Sequence, residues 1–160
     1  MTKTKILSAN ALAEQAKAFR AEGRRLVLTN GCFDLLHVGH VRYLQAARAL
    51  GDALAVALNS DASVRALKGE GRPINPESDR AEVLAALECV DCVAIFSEMR
   101  ATRLLETVRP AVYAKGGDYK LETLDREERA VLEKIGAEIR ILPLQPGYST
   151  SSLLARLHRA

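Results

Sequence analysis

Apolar and polar positions alternate along this chain in blocks rather than residue by residue. Residues 26–29 (LVLT), 53–58 (ALAVAL), 92–96 (CVAIF), 111–114 (AVYA) and 138–144 (EIRILPL) are short, nearly continuous apolar runs. Runs of this length read as strands covered on both faces. Between them lie longer stretches with apolar residues every three or four positions, the spacing of a half-buried helix. Residues 8–22 are the first, with Ser8 as the candidate N-cap and Gly23 as the stop. Helices are also expected over residues 41–50, ended by Gly51, 77–88, 99–108, 123–135, ended by Gly136, and 152–159. Pro110 blocks continuation of the 99–108 helix.

Strand then helix, repeated, predicts a parallel sheet with helices on both faces. The expected architecture is α/β: a single doubly wound Rossmann-like domain over residues 25–160 with a five-stranded parallel sheet. An extra N-terminal helix in residues 1–24 precedes it. Ligands of such sheets gather outside the carboxyl ends of the strands. The loops that matter are therefore 30–40, 59–79, 115–122 and 145–151.

Composition narrows the function classes. The length of 160 residues suits one domain, and 48% apolar with 27% charged residues is a globular balance rather than a disordered one. A net charge of +3 suits a small anionic substrate but supplies no basic stripe for duplex nucleic acid. With 4% aromatics, a basic and aromatic face for single strands is also lacking. No apolar run is long enough to span a membrane, and the first residues lack a secretory signal. The expectation is a cytoplasmic protein with neither nucleic-acid nor membrane partners. Cys32, Cys89 and Cys92 are odd in number, which argues against a disulfide framework. Cys89 and Cys92 have redox spacing, yet Cys89 ends a helical pattern and Cys92 opens a strand. A reactive thiol of that kind sits at a helix N-terminus instead. No second Cys or His pair stands at zinc-finger spacing, and packing is the better reading.

The strongest local signal is His37-Val38-Gly39-His40 at a strand-to-helix junction. A helix N-terminus offers free N–H groups and partial positive charge, a ready anion site. Gly39 lets backbone approach a phosphate, and imidazoles three residues apart share one side of the first turn. Such donors favour charge that builds on a phosphate during transfer. Spacing alone leaves a second reading open, in which one histidine caps the helix and the other packs.

The surrounding residues decide between them. Thr29-Asn30-Gly31-Cys32-Phe33-Asp34, followed by His37, Gly39 and His40, resembles the T/S-x-G-x-F-D-x-x-H-x-G-H signature of the cytidylyltransferase-like nucleotidyltransferases. Nearly the whole chain fits that resemblance. Lys68 lies where the superfamily keeps a triphosphate-binding lysine, and Arg80 where it has an arginine opening a helix. Val90-Asp91 matches a V-D pair before the third strand. Ser149-Thr150-Ser151 resembles a G-I-S-T-T loop that holds phosphates. Lys115-Gly116-Gly117-Asp118-Tyr119, with Asn59-Ser60-Asp61 and the R-P-x-N-P of residues 72–76, is similar to the branch that adenylylates a heptose 1-phosphate. The chain is too short for the sugar-kinase domain often fused to that branch, so a stand-alone form is expected.

The resemblance departs in places. Gln145-Pro146-Gly147 lacks the arginine that cytidylyltransferases carry there, Ser151 replaces a threonine, and Tyr148 replaces a small or aliphatic residue. The first departure weighs against the alternative of a cytidylyltransferase for glycerol 3-phosphate or a similar alcohol phosphate. A non-catalytic nucleotide binder on the same fold has no need of both imidazoles.

What the resemblance implies is direct in-line displacement at the α-phosphorus of ATP, accompanied by Mg²⁺, with no protein metal ligand named. His37, His40 and Lys68 are the expected catalytic residues. Thr29, Asn30, Gly31, Cys32, Phe33, Gly39, Arg80, Ser149, Thr150 and Ser151 are expected at the nucleotide. Asp34, Lys115, Gly116, Gly117, Asp118 and Tyr119 are expected at the sugar phosphate, although Lys115 reads equally as a structural cation. A homo-oligomer, a dimer, is implied as well. Cys32 is not the expected nucleophile, since a free cysteine usually packs as a small apolar residue.

Overall fold

The computed structural model describes residues 2–117, 120–144 and 146–159. Asp118 and Tyr119, both expected in the substrate loop, lie outside the described residues. Strands β1 (Ile6–Leu7), β2 (Leu26–Gly31), β3 (Ala53–Asn59), β4 (Cys92–Phe96), β5 (Val112–Gly116) and β6 (Glu138–Leu142) pair in parallel in the order β1-β4-β3-β2-β5-β6. The helices are α1 (Ala9–Ala21), α2 (Val38–Arg48), α3 (Asp61–Lys68), α4 (Glu77–Ala86), α5 (Thr102–Val108), α6 (Arg126–Ile135) and α7 (Thr150–Leu157).

The apolar runs form strands because both faces of the sheet are covered. Successive side chains of a strand point to opposite faces. Leu26, Leu28, Ala53, Ala55 and Ala57 accordingly join the core beneath α1, α5 and α6, with Leu12, Phe19, Leu105 and Leu132. Val27, Leu54, Val56 and Leu58 join the opposite core beneath α2 and α4, with Leu44 and Leu84. Every residue of β3 is buried, as suits a central strand.

The doubly wound parallel architecture agrees with the sequence reading, with corrections in detail. The sheet has six strands, not five. The extra one, β1, is two residues long and pairs Ile6 with Val93 and Leu7 with Ala94. Two residues carry no periodicity, so only the neighbouring edge of β4 defines it. Residues 59–79 are not all loop, because α3 occupies Asp61–Lys68. Ser60 caps α3 by accepting from the Ser63 amide, and only Ser63 and Val64 of the helix are buried. With so narrow an apolar stripe, composition hides the helix. Helix α2 begins at Val38, a turn earlier than expected, which makes His37 its N-cap residue. Strand β5 runs on through Lys115 and Gly116. Helix α1 ends as its sequence predicts, with Ser8 accepting from Ala11 at one end and Gly23 in the left-handed region at φ +70° at the other.

Chain order reverses between β2 and β5, the switch point where open α/β sheets bind ligands. The β2–β5 ladder holds only Val27–Val112 and Leu28–Tyr113. Above it the Tyr43 side chain from α2 bridges the strands. Its hydroxyl lies 2.7 Å from Thr29 Oγ1 and donates to the Ala114 carbonyl at 3.1 Å. Burial pushes the Tyr43 phenol up to about 12, so it remains a donor at any working pH.

The turn from α2 into β3 gives a test of packing. A Cβ at Gly51 would stand 2.6 Å from the Arg25 carbonyl oxygen and 2.8 Å from Val27 Cγ2. The same carbonyl accepts from the amides of Asp52 and Ala53, so it cannot retreat without loss. Gly51→Ala is expected to lower unfolding free energy by about 1–3 kcal/mol, the usual cost of overpacking. Urea denaturation measures it, and an unchanged midpoint would show that the turn yields freely.

Candidate active site

A cavity of about 730 Å³ opens at the carboxyl edge of the sheet. Its floor is the ends of β2 and β5, represented by Asn30, Gly31, Lys115 and Gly116. Of the residues expected at the site, Cys32, Phe33, Asp34, His40, Lys68, Thr150 and Ser151 also reach its wall. The two strand ends need glycine. A Cβ on Gly31 would meet the Phe33 ring at 2.8 Å, and one on Gly116 would meet the Tyr43 ring at 2.8 Å.

His37 and His40 stand together at the N-terminus of α2. Their rings stack with centroids 3.9 Å apart and planes 26° apart. His40 faces the cavity, and His37 packs beside it. Gly39 makes the stack possible, since a Cβ there would come within 2.9 Å of both the His37 ring and Tyr148 Cβ. The His37 amide donates to His40 Nδ1 at 3.4 Å, so the His40 proton belongs on Nε2. His37 Nδ1 is buried and has no hydrogen-bond partner among the described residues. Burial, with the His37 ring alongside, pushes His40 down to about 4, and burial lowers His37 too. Both imidazoles are therefore neutral at pH 7 and serve as N–H donors at a helix N-terminus.

Arg80 and Asp34 direct their charged groups to the chain itself. Arg80 is only 2% exposed and is not on the cavity wall. Its Nε donates to the Asn75 carbonyl, its Nη1 to the carbonyls of Cys32 and Asn59, and its Nη2 to Asp61, all within 2.7–2.9 Å. A guanidinium with its donors so committed braces the loops after β2 and β3 from behind the cavity wall. Asp34 likewise spends its carboxylate on the chain. It accepts from Arg72 Nε at 2.8 Å and from the amides of Ile74 and Asn75. These amide and guanidinium donors hold its carboxyl below the usual range despite the burial that opposes them. Asp34 thus fastens residues 72–75 at the cavity wall. Both placements are tertiary, because each side chain bonds to residues distant in sequence.

Three further residues expected at the site, Thr29, Ser149 and Gly117, lie off the cavity wall. Thr29 is fully buried and bonded to Tyr43, so it supports the sheet instead of lining the cavity. Ser149 accepts from the Ser152 amide as the N-cap of α7, leaving Thr150 and Ser151 to face the cavity. Gly117 follows β5 and donates its amide to the Leu142 carbonyl, off the wall. Lys68 ends α3 at the cavity and forms no ion pair among the described residues.

Lys115 sits in a network. Its Nζ donates to Asn30 Oδ1 at 3.3 Å and to the Tyr113 hydroxyl at 3.4 Å, and lies 3.8 Å from Glu128 Oε2. Tyr113 in turn donates to Asn30 Oδ1 at 2.6 Å. Burial raises the Cys32 thiol above its ordinary value, which disfavours the nucleophilic thiolate. Burial also raises Cys89, and pushes Cys92 to about 11, against redox use of the pair.

Sequence reasoning passed over Tyr43, Arg72 and Glu128, which line the cavity. Arg72 lay inside the noted R-P-x-N-P segment, a usable signal. Glu128 is one of two adjacent glutamates on a polar helix, and nothing local separates it from Glu127. Among the described residues no three His, Cys, Asp or Glu side chains group to hold a metal ion. None of their helices is long and apolar enough to cross a membrane.

A doubly wound sheet with a histidine pair at a helix N-terminus, above a cleft lined by Lys68 and Lys115, defines an α/β protein built to handle phosphates. The chain belongs to the cytidylyltransferase-like family, whose profile matches residues 28–156. It is 52% identical over 153 residues to the bifunctional protein HldE of Geotalea uraniireducens (strain Rf4), covering 96% of this chain and 31% of that protein. Its identity to HldE of Rhodopseudomonas palustris (strain BisA53) is 54% over 145 residues, 91% of this chain and 29% of that one. The chain thus spans about a third of the length of these curated relatives. Among solved structures, the lipopolysaccharide core biosynthesis protein of Thermoplasma volcanium GSS1 is similar with a TM-score of 0.62 and 28% identity, over 77% of this chain and 98% of that one. Pantoate-beta-alanine ligase of Francisella tularensis shares the fold, with a TM-score of 0.60 at 13% identity, over 91% of this chain and 68% of that one.

The depressed histidines set a pH dependence. Unfolding returns His40 from about 4 toward 6.5, so the unfolded chain binds the extra proton between those values. Stability contributed by the neutral ring is full above pH 6.5 and is lost as pH falls to about 4. Urea midpoints at pH 7.5 and 4.5 are expected to differ less in His40→Gln than in the wild type. Equal differences would show that the ring titrates normally in the fold.

Proposed function

We propose that this chain is an adenylyltransferase that joins ATP to D-glycero-β-D-manno-heptose 1-phosphate, giving ADP-heptose and pyrophosphate for lipopolysaccharide core synthesis in the cytoplasm. The observation that carries the transfer chemistry is the stacked, neutral His37–His40 pair at the start of α2, beside the cavity. The choice of sugar rests on the K-G-G-D-Y segment, on identity near one half to proteins named HldE, and on likeness to a lipopolysaccharide core biosynthesis protein.

In this reading an oxygen of the sugar 1-phosphate attacks the α-phosphorus of ATP in line. The bond to the bridging oxygen breaks, and that oxygen leaves with pyrophosphate. His40 Nε2–H donates to the phosphate on which charge builds, and His37, held beside it, donates to a neighbouring oxygen. Lys68, at the end of α3, meets the β- and γ-phosphates, and the amides at Thr150 and Ser151 hold an oxyanion at the start of α7. Residues 30–33 lie under the nucleotide. Lys115 and Gly116, with Asp118 and Tyr119 as sequence candidates, attend the sugar phosphate. Arg80 and Asp34 keep the loops that carry these groups in position. Mg²⁺ would travel with the triphosphate, ligated chiefly by phosphate oxygens and water, since the described protein side chains provide no carboxylate cluster for it. A covalent enzyme intermediate is not part of this reading, because the thiol nearest the site is held protonated.

Pyrophosphate release is measured for ATP, CTP and GTP against heptose 1-phosphate, glycerol 3-phosphate and phosphoethanolamine, with Mg²⁺. Turnover confined to ATP with heptose 1-phosphate is the expected result. Turnover with CTP and glycerol 3-phosphate would reassign the substrates and leave the histidine chemistry intact. His37→Ala and His40→Ala are each expected to lower kcat by roughly 10²–10³, the effect of losing one preorganised donor. A wild-type rate in either would remove that histidine from the mechanism.

A further inference from the structure

The cavity straddles the crest of the sheet, and its two banks differ in chemistry. On the α2 bank stand His40 and Lys68, cationic or hydrogen-donating groups suited to a polyphosphate. The α6 bank holds Lys115, Asn30 and Glu128 around the Tyr113 hydroxyl. Glu128 is the unexpected member. It projects from a helix whose other acids are exposed, yet it is 5% exposed itself. A carboxylate taken that far from water must be matched by charge and hydrogen bonds or it destabilises the fold. Here the match is specific. Oε1 accepts from the Ala101 amide at 3.3 Å, and Oε2 lies 3.3 Å from the Tyr113 hydroxyl and 3.8 Å from Lys115 Nζ. The carboxylate thereby joins the start of α5, strand β5 and helix α6 at one point.

Lys115 is the only cation among these contacts, and it is held from three sides by Asn30, Tyr113 and Glu128. A lysine left to itself is a flexible point charge that loses much rotamer freedom when it is fixed. Fixing it beforehand lowers the entropy lost when an anion arrives, which tightens binding without a new contact. We propose that Glu128 is a positioning residue: it holds the Lys115 ammonium at the cavity floor, aimed at the phosphate of the acceptor substrate rather than at the nucleotide. This rests on the reading of the cavity as a nucleotidyltransferase site. It adds which bank receives the acceptor phosphate and what prepares that bank. Tyr113 and Asn30 complete the cradle, with Tyr113 donating to Asn30 and both oxygens accepting from Lys115.

The role separates from a merely structural one by which Michaelis constant moves. Wild-type protein is first assayed against ATP with heptose 1-phosphate and with glycerol 3-phosphate. A failure of heptose 1-phosphate there strikes the substrate assignment alone, and the variants are then compared with whichever acceptor turns over. If neither does, the comparison uses calorimetric binding of the two acceptor phosphates and of ATP. Glu128→Gln, Lys115→Met and the double variant are measured together, with thermal melts. Glu128→Gln keeps shape and an acceptor oxygen while removing the charge. It is expected to raise the acceptor KM about tenfold, the scale of one charge-assisted contact, with the ATP KM changed less than about twofold. Lys115→Met is expected to raise the acceptor KM at least as much, and the double variant no more than Lys115→Met alone, because Glu128 acts through the lysine. Glu128→Asp, which restores the charge on a shorter arm, is expected to recover part of the loss. An unchanged acceptor KM in Glu128→Gln, an equal rise in both Michaelis constants, or additive effects in the double variant would each overturn the proposal.

Discussion

The short ladder between β2 and β5 is the constraint on which the site depends. These strands pair at only two positions before the Tyr43 side chain takes over the connection. From this junction the chain proceeds outward through β3 and β4 on one side and through β6 on the other, the arrangement that leaves a crevice between the two halves. The result is a crevice whose lips are the last residues of two strands. Backbone at those lips lies close beneath aromatic rings, which is why Gly31 and Gly116 stand there. Side chains adjacent to the glycines, Asn30 and Lys115, project onto the α6 side and meet each other. The histidine pair rises from the other side on the first turn of α2. A single gap in the sheet thus places the two banks across from one another.

Buried charge stabilises the loops around that gap. Arg80, Asp34 and Glu128 are each no more than 5% exposed, and each is surrounded by specific partners. Removing such a group would leave carbonyls or amides unsatisfied in a low-dielectric setting, so these residues define geometry more than they add net stability. Arg80 gathers the carbonyls at the ends of β2 and β3 with that of Asn75. Asp34 collects amides from residues 74 and 75 and the Arg72 guanidinium. Together they tie the loop after α3 to the loop that carries the histidines. Lys68 lies at the near end of this tied segment, followed by Gly69 and Gly71 at φ +92° and +81°, so a braced stretch and a turning stretch meet beside the cavity.

Neutral imidazoles are consistent with this environment. The rings are stacked and desolvated, and two positive charges 3.9 Å apart would oppose each other. A helix N-terminus adds further positive potential. Neutral donors avoid that repulsion in the free protein and still offer N–H groups to an anion, whose arrival would favour the charged form.

The sequence by itself determined the alternation of buried runs and amphipathic stretches, hence the parallel, doubly wound sheet. It also determined the histidine motif at a strand-to-helix junction. Both are local: a period, a cap, a glycine beside a histidine. Strand β1 and helix α3 escaped that reading because two residues have no period and one buried turn barely marks a stripe. Only the tertiary structure decided what the charged residues do. Arg80 and Asp34, expected at the ligands, turned inward to carbonyls and amides 5 to 48 residues away, while Glu128, unmarked among polar neighbours, became the partner of Lys115. A charged side chain carries the same identity whether it meets substrate, water or its own backbone. The choice belongs to the partners that folding brings within reach of a hydrogen bond or an ion pair, and those partners are distant in the chain.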